Sequence, residues 1–217
     1  VKPTRWSYSS LSTYEECPAK WKYEYIDGIR PPPSPAMERG TMLHTMCELV
    51  LNGESDTPTE LEPIGRLLTR LKANQAKPEK AWRLDNQWKP VDSGSWLIGI
   101  IDVHFFRDGA LHIYDFKSGR SYPSHSKQLE LYSLIGLSTF PEAPRVEVGA
   151  IYIDSGKLQR RRTIERAEAP ALVRNWSERA QRMFADEELT ATPGSGCYWC
   201  QHKDSMGGGC SAWRKAA

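Results

Sequence analysis

The chain has 217 residues and a formal net charge of +2, with 39% hydrophobic and 26% charged residues. That size and mixture suit one main globular domain with a core of its own and a small appendage, and they exclude a disordered or low-complexity chain. So small a net charge neither marks nor excludes a nucleic-acid binder. The longest apolar run, Trp96 to Phe106, is too short to cross a bilayer, and no apolar signal core opens the sequence, so a soluble, cytoplasmic protein with no membrane partner is expected.

Between Ser7 and Asp27, Leu11, Tyr14, Trp21 and Tyr25 fall at helical spacing interrupted by Pro18, which predicts two short helices meeting at Cys17-Pro18. The four prolines within residues 31–35 read as an extended linker. A helix is predicted over roughly 40–51, striped by Leu43, Met46, Cys47 and Val50, with His44 and Glu48 four residues apart beside the stripe. A loop over 52–62 and an amphipathic helix over 63–77 follow. Residues 81–88, 96–106, 111–116 and 146–154 are aliphatic and aromatic runs separated by turn formers, and they predict strands of one sheet. A helix over 126–137 crosses between the third and fourth of them. The last helix begins near Pro170 and shows Leu172, Val173, Trp176, Ala180, Met183 and Phe184 on one face. Arg160, Arg161 and Arg162, and then Arg174, Arg179 and Arg182, form basic stretches that read either as a solvated face or as phosphate contacts.

Asp102 interrupts the apolar strand Leu97-Ile-Gly-Ile-Ile-Asp102-Val, where an uncompensated carboxylate is costly to desolvate. In the next strand Asp115 and Lys117 lie two positions apart and therefore on one face. If the two strands pair through Asp108-Gly109, both carboxylates converge at one edge of the sheet. Hard oxygen ligands of this kind favour Mg2+ or Mn2+, with Lys117 placed to orient water or neutralise charge during phosphodiester hydrolysis. Taken alone, Asp-x-Lys is a common triplet and reads as an ordinary strand-end ion pair, with Asp102 a turn-facing surface residue; Gly99 before Asp102 and Ser118-Gly119 after Lys117 weigh against that.

The strings Gly40-Thr-Met-Leu-His44, Gly99-Ile-Ile-Asp102, Asp115-Phe-Lys117-Ser-Gly119 and Gln128-Leu-Glu-Leu-Tyr132, preceded by Ser10-x-Ser12 through Tyr14 to Cys17-Pro18, stand in order along almost the whole chain. This order resembles RecB-type exonucleases of the PD-(D/E)xK superfamily, and particularly the CRISPR-associated members that carry an iron-sulfur cluster. The resemblance implies an α/β, restriction-endonuclease-like core with a central mixed sheet flanked by helices. It also implies His44, Asp102, Asp115 and the backbone carbonyl of Phe116 as metal ligands, Lys117 as the catalytic lysine, and Gln128 and Tyr132 in the same cleft. Ile101 stands where the family's name has proline. On the residues alone, His44 also reads as a surface histidine paired with Glu48, and Tyr132 as a half-buried core aromatic.

Of the five cysteines, Cys17 is early, Cys197, Cys200 and Cys210 are late, and Cys47 lies in a helical stripe as a small buried residue. The resemblance implies that the first four hold a 4Fe-4S cluster, which ties a cysteine-bound tail over 193–217 to the helices of 7–27 within a nuclease domain over 1–192. Structural zinc suits four thiolates equally, and Cys197, Cys200 and Cys210 with His202 offer a local zinc site.

The functional expectation is a metal-dependent deoxyribonuclease, an exonuclease on single-stranded or end-containing DNA, acting in recombination, repair, phage replication or CRISPR adaptation. No Walker-type phosphate loop is present, so unwinding belongs to a helicase or recombination partner. The alternative is a nucleic-acid-binding scaffold or regulatory subunit with a structural zinc or iron-sulfur site. An intact set of His44, Asp102, Asp115 and Lys117 argues for the enzyme. Trp6, Tyr8 and Tyr122 are candidates for stacking on unpaired bases.

Overall fold

The computed structural model describes residues 1–215, with the backbone alone for Arg160 and Arg161; those two side chains of the basic run lie outside the described residues. The chain divides into two compact units, one formed by residues 33–174 and the other by residues 1–32 together with 175–217. No helix among the described residues is long and apolar enough to cross a membrane.

The larger unit opens with α3 (Pro35–Asn52), which follows α1 (Tyr8–Glu16) and α2 (Pro18–Trp21) of the smaller unit. This helix starts five residues before the position expected from its apolar stripe. Ser34 caps it by accepting the Met37 N–H at 3.3 Å, and Pro35 occupies the first turn, where no N–H is needed. Gly53, left-handed at φ 78°, ends it. The helix expected over 63–77 is a 3-10 segment, Thr59–Ile64, followed by α4 (Gly65–Ala73).

Five strands form one mixed sheet in the order β1 (Lys77–Leu84), β2 (Leu97–Arg107), β3 (Ala110–Lys117), β4 (Arg145–Tyr152) and β5 (Lys157–Glu165). Neighbours are antiparallel except β3 and β4, which run parallel and are joined by the crossover helix α5 (Ser124–Thr139). The α/β architecture with a helix-flanked mixed sheet is therefore the one the sequence predicts. The β2–β3 hairpin turns through Asp108 and Gly109 at φ 51° and 70°, the pairing a two-residue primed turn requires.

Two strands differ from expectation. β1 lies about four residues earlier than predicted, because Asp85 Oδ1 accepts the N–H groups of Gln87 and Lys89 and folds the Trp88 segment into a turn. β5 has no counterpart among the predicted strands. Its sequence, Lys-Leu-Gln-Arg-Arg-Arg-Thr-Ile-Glu, is polar because it is an edge strand, and Ile164 is buried. On one side of the sheet α3 and α4 build a core from Leu43, Cys47, Val50, Leu68, Tyr114 and Phe116. Cys47 is a buried thiol within it, as expected. On the other side α5 lies close, since Gly136 has Ile113 and Leu111 at 2.7 and 2.9 Å from where a Cβ would sit.

In the smaller unit, α1 is held by a capping box between Ser7 and Ser10, and it is followed by α2 and one π-helical turn, Lys22–Ile26. Helix α6 (Ala169–Ala185) begins in the larger unit and supplies this one with Trp176, Ala180 and Met183, all buried. Trp6, 1% exposed, stacks on Trp176 at 6.2 Å and is core, which removes it as a candidate for base stacking. Arg179 pairs with Glu15 at 2.6 Å and covers the Trp176 ring at 3.9 Å. After Pro193 the chain proceeds in short 3-10 turns joined by a bridge between Lys203 and Cys210.

Candidate active site

β2 and β3 are paired from Arg107–Ala110 back to Val103–Tyr114. Continuing that register sets Asp102 across from Asp115, but there the Asp102 side chain enters the ladder: its Oδ2 accepts the Phe116 N–H at 2.7 Å. A carboxylate in an apolar strand is thus satisfied by the backbone of the neighbouring strand. Its other oxygen, Oδ1, lies 3.3 Å from Nδ1 of His44, which α3 presents one residue after buried Leu43. The His44 ring also meets the Phe116 ring edge-on at 6.2 Å. Burial disfavours the imidazolium of His44, but the hydrogen bond and charge of Asp102, followed by the charge of Asp115, outweigh it and raise the pKa.

Asp115 is 2% exposed, and Lys117, two residues along the same face, sets its ammonium 2.6 Å from Asp115 Oδ2. That ammonium is the partner of this buried oxygen. Burial first, and then the charge of Asp102, push the Asp115 carboxyl up to about 6 despite Lys117. Lys117 also donates to Gln128 Oε1 at 2.9 Å, and Gln128 Nε2 donates to the Tyr132 hydroxyl at 2.8 Å. Gln128 and Tyr132 are one turn apart on α5, so a single helix face carries the chain of contacts away from the lysine.

Glycines explain why these elements approach so closely. A Cβ at Gly99 would lie 2.6 Å from Ile135 Cδ1 and 3.7 Å from the Tyr132 ring, so a larger residue there would push the α5 face outward. A Cβ at Gly40 would lie 3.2 Å from Ser118 Oγ, which sets α3 against the turn after Lys117. The same turn is clamped by Asp154, which accepts the Gly119 N–H at 2.8 Å and pairs with Arg39 of α3 at 2.5 Å.

The residues expected at this site fall into two sets of contacts, His44 with Asp102 and the Phe116 N–H, and Asp115 with Lys117, Gln128 and Tyr132, and the two sets feel each other through the charges of Asp102 and Asp115. Sequence reasoning did not single out Asp154, Arg39 or Glu79. Glu79, on β1 across from Asp102 in register, has its carboxyl pushed up by burial and by the charges of Glu48 and Asp102. Its only signal was a lone acid in a strand whose start was placed too late. Glu48 therefore stands with the acids, and the described ion pair of His44 is with Asp102.

In the smaller unit, Cys17, Cys197, Cys200 and Cys210 are free thiols lining one cavity of about 250 Å3. Thr192 N–H points to Cys17 Sγ and Gly194 N–H to Cys197 Sγ, each at 3.5 Å. Burial raises the Cys200 thiol, with Cys210 and Cys17 close enough to add to the shift. His202 lines the same cavity, stacks on Tyr23 at 5.1 Å and turns Nε2 toward Glu24 at 3.3 Å. Among the described residues, no group of three or more His, Cys, Asp or Glu side chains stands gathered as a finished metal site, at the carboxylates or at the cysteines.

A search of curated protein sequences returns no significant match. Among solved structures, one from Eubacterium rectale, assigned as an exonuclease, aligns over 94% of this chain and 87% of its own with a TM-score of 0.53 and 12% identity. The protein SSO0001 aligns over 86% of this chain and 79% of its own with a TM-score of 0.46 and 18% identity. At such identities the first likeness speaks to the fold alone. The model of the PD-(D/E)XK nuclease superfamily matches residues 5–96 and 66–205, a span that takes in the carboxylates, the lysine and the crossover helix, and the chain belongs to that superfamily.

Proposed function

We propose that this protein is a divalent-metal-dependent deoxyribonuclease acting on single-stranded or end-containing DNA, with Asp102, Asp115 and Lys117 at its centre. The observation that carries the reading is the buried Asp115 carboxylate, with the Lys117 ammonium 2.6 Å from its Oδ2 and the charge of Asp102 acting on it. Two carboxylates forced together in a buried setting, one with a raised pKa, are poised to gain from a cation. The donor set fits Mg2+ or Mn2+: Asp102, Asp115, His44 and the Phe116 carbonyl would hold the ion. When bound, such an ion supplies charge for the scissile phosphate and a more acidic water. The chain's own residues do the rest. Lys117, steadied by Gln128, keeps a positive charge beside the reacting phosphoryl group, and Tyr132 fixes the Gln128 amide. Asp102, anchored on the Phe116 N–H, keeps the His44 imidazole oriented.

The cysteine cavity supports a second part of the same reading, in which Cys17, Cys197, Cys200 and Cys210 hold a 4Fe-4S cluster of structural role. Four free thiols on one cavity and two N–H groups aimed at sulfur are the donor chemistry such a cluster takes. Structural zinc is the other occupant those thiols fit.

End-labelled single- and double-stranded DNA, incubated with Mg2+, Mn2+ or neither, tests the reading. Metal-dependent cleavage lost in Asp115→Asn and Lys117→Ala is expected; metal-independent cleavage, or variants as active as the parent, overturns it. Metal analysis and the visible spectrum of anaerobically prepared protein decide the cavity: iron with a broad absorption supports the cluster, and colourless zinc-loaded protein replaces it.

A further inference from the structure

The Cys197-x-x-Cys200 turn holds two aromatic residues in the least expected place for them. Tyr198 is 71% exposed and Trp199 80% exposed, whereas Trp6, Trp21 and Trp176 of the same unit are fully buried. The two rings meet edge-on at 4.6 Å, an arrangement that leaves ring faces open. Their backbone is fixed: Cys200 N–H bonds the Cys197 carbonyl, Gly194 N–H points to Cys197 Sγ, and the Lys203 ammonium bonds the Tyr198 carbonyl at 2.7 Å. Lys203 also lies 5.6 Å from the Tyr198 ring centre and 5.7 Å from that of Trp213. In sequence, residues 195–215 carry Lys203, Arg214 and Lys215 against one carboxylate, Asp204, which pairs with Arg214 at 2.7 Å, and the Glu16 carboxylate lies beside Gly196, so Lys203 is the cation placed at the rings.

Large apolar rings left in water cost free energy unless something covers them. The two rings together offer roughly 300–400 Å2, well short of the ~1,200 Å2 that a specific protein interface buries. Exposed rings held beside the Lys203 ammonium match instead a ligand that is planar and anionic in alternation, as the bases and phosphates of an unpaired strand are. We infer that Tyr198 and Trp199 form a stacking platform for single-stranded nucleic acid, with Lys203 facing the phosphates. The inference deepens the proposed function, on which it rests for the class of substrate, and it adds a contact surface to that function.

Anisotropy of a fluorescein-labelled oligothymidine, measured without added divalent ion so that the strand stays intact, tests it with the full chain. The Tyr198→Ala/Trp199→Ala double variant is expected to bind roughly 5- to 100-fold more weakly, and Trp199→Phe to recover much of the loss. A strand of the same length lacking bases should bind parent and double variant alike, because it offers phosphates and no rings. Equal affinity of parent and double variant for oligothymidine overturns the platform, and so does an equal loss on the base-free strand, which would mean a disturbed turn. Binding to anionic lipid vesicles that depends on Trp199, with oligothymidine affinity intact, reassigns the pair to a membrane surface. The two readings fail separately: a parent that cuts DNA with unchanged binding in the variant leaves the nuclease and removes the platform, and a parent that never cuts yet stacks through Trp199 does the reverse.

Discussion

The carboxylate site and the cysteine cavity bring functional side chains together by opposite means. At the carboxylates, regular structure does the placing: the β2–β3 ladder runs to Val103–Tyr114 and delivers Asp102 to the Phe116 N–H just beyond it, the strand period sets Lys117 beside Asp115, and one turn of α5 separates Gln128 from Tyr132. At the cysteines there is no ladder to inherit. Cys17 sits at a helix junction, Cys197 lies in a 3-10 turn that Cys200 ends, and Cys210 is held by a single bridge to Lys203, so a covalent or metal tie has more to contribute there. A site on paired strands keeps its shape when one member changes, and a site on turns depends on what its members hold.

The largest effect should come at the strands. Asp115→Asn keeps the size of the side chain but removes a charge that burial and Asp102 already oppose, so hydrolysis should fall by about 10³-fold or more while the unfolding temperature of the metal-free protein does not drop. Steady-state cleavage and thermal unfolding on the same preparation check both halves. A parallel fall in stability would mean that Asp115 is structural. At the turns the coupling should run the other way: Cys200→Ser should empty the cavity of metal and expose the segments around Cys17 and Cys210 to protease, read by metal content and limited proteolysis. Retained metal with an unchanged digestion pattern would erase the contrast.

Gln128→Ala should have a smaller effect, about 10- to 100-fold on cleavage, because it frees the Lys117 ammonium without removing it. Tyr132→Phe, which removes only the hydroxyl that holds the Gln128 amide, should cost less still. A Tyr132→Phe loss as large as that of Gln128→Ala would place the hydroxyl on the substrate itself.

The same contrast decides what the sequence made legible. The strand carrying Asp102, the hairpin at Asp108-Gly109 and the Asp115–Lys117 spacing follow from period-two patterning and turn chemistry, which a single sequence displays. β5 escaped because an edge strand needs no apolar alternation, and Glu79 escaped because its importance comes from the strand across from it rather than from its neighbours in sequence. Asp154 is legible only once α3 and the Ser118-Gly119 turn are seen to meet. The cysteines were countable, but no local pattern states that Cys17 lines a cavity with residues nearly two hundred positions later.

Two histidines of the larger unit sharpen the point at the level of single groups. His44 has a carboxylate partner and its pKa is raised, whereas His104 is packed between Trp82 and Phe140, its Nδ1 without a hydrogen-bond partner among the described residues, and burial, followed by Lys80 and Lys77, lowers it to about 4. His104 is therefore neutral in the folded protein and takes up a proton near pH ~6.5 once unfolded. A lowered pKa in the folded state means that the unfolded state binds the extra proton over this window. The stability associated with His104 is whole above pH ~6.5, declines as the pH falls, and is lost by about 4. The two lysines act partly through solvent, so the loss should be on the order of 1–2 kcal/mol. In His104→Phe the titrating group is gone and an aromatic side chain remains between the same two rings, so denaturant titrations from pH 7 to 4 should show a shallower decline than in the parent. Identical slopes would show that His104 already carries its proton inside the fold, and that the sheet shelters only the ionisable groups of the carboxylate site.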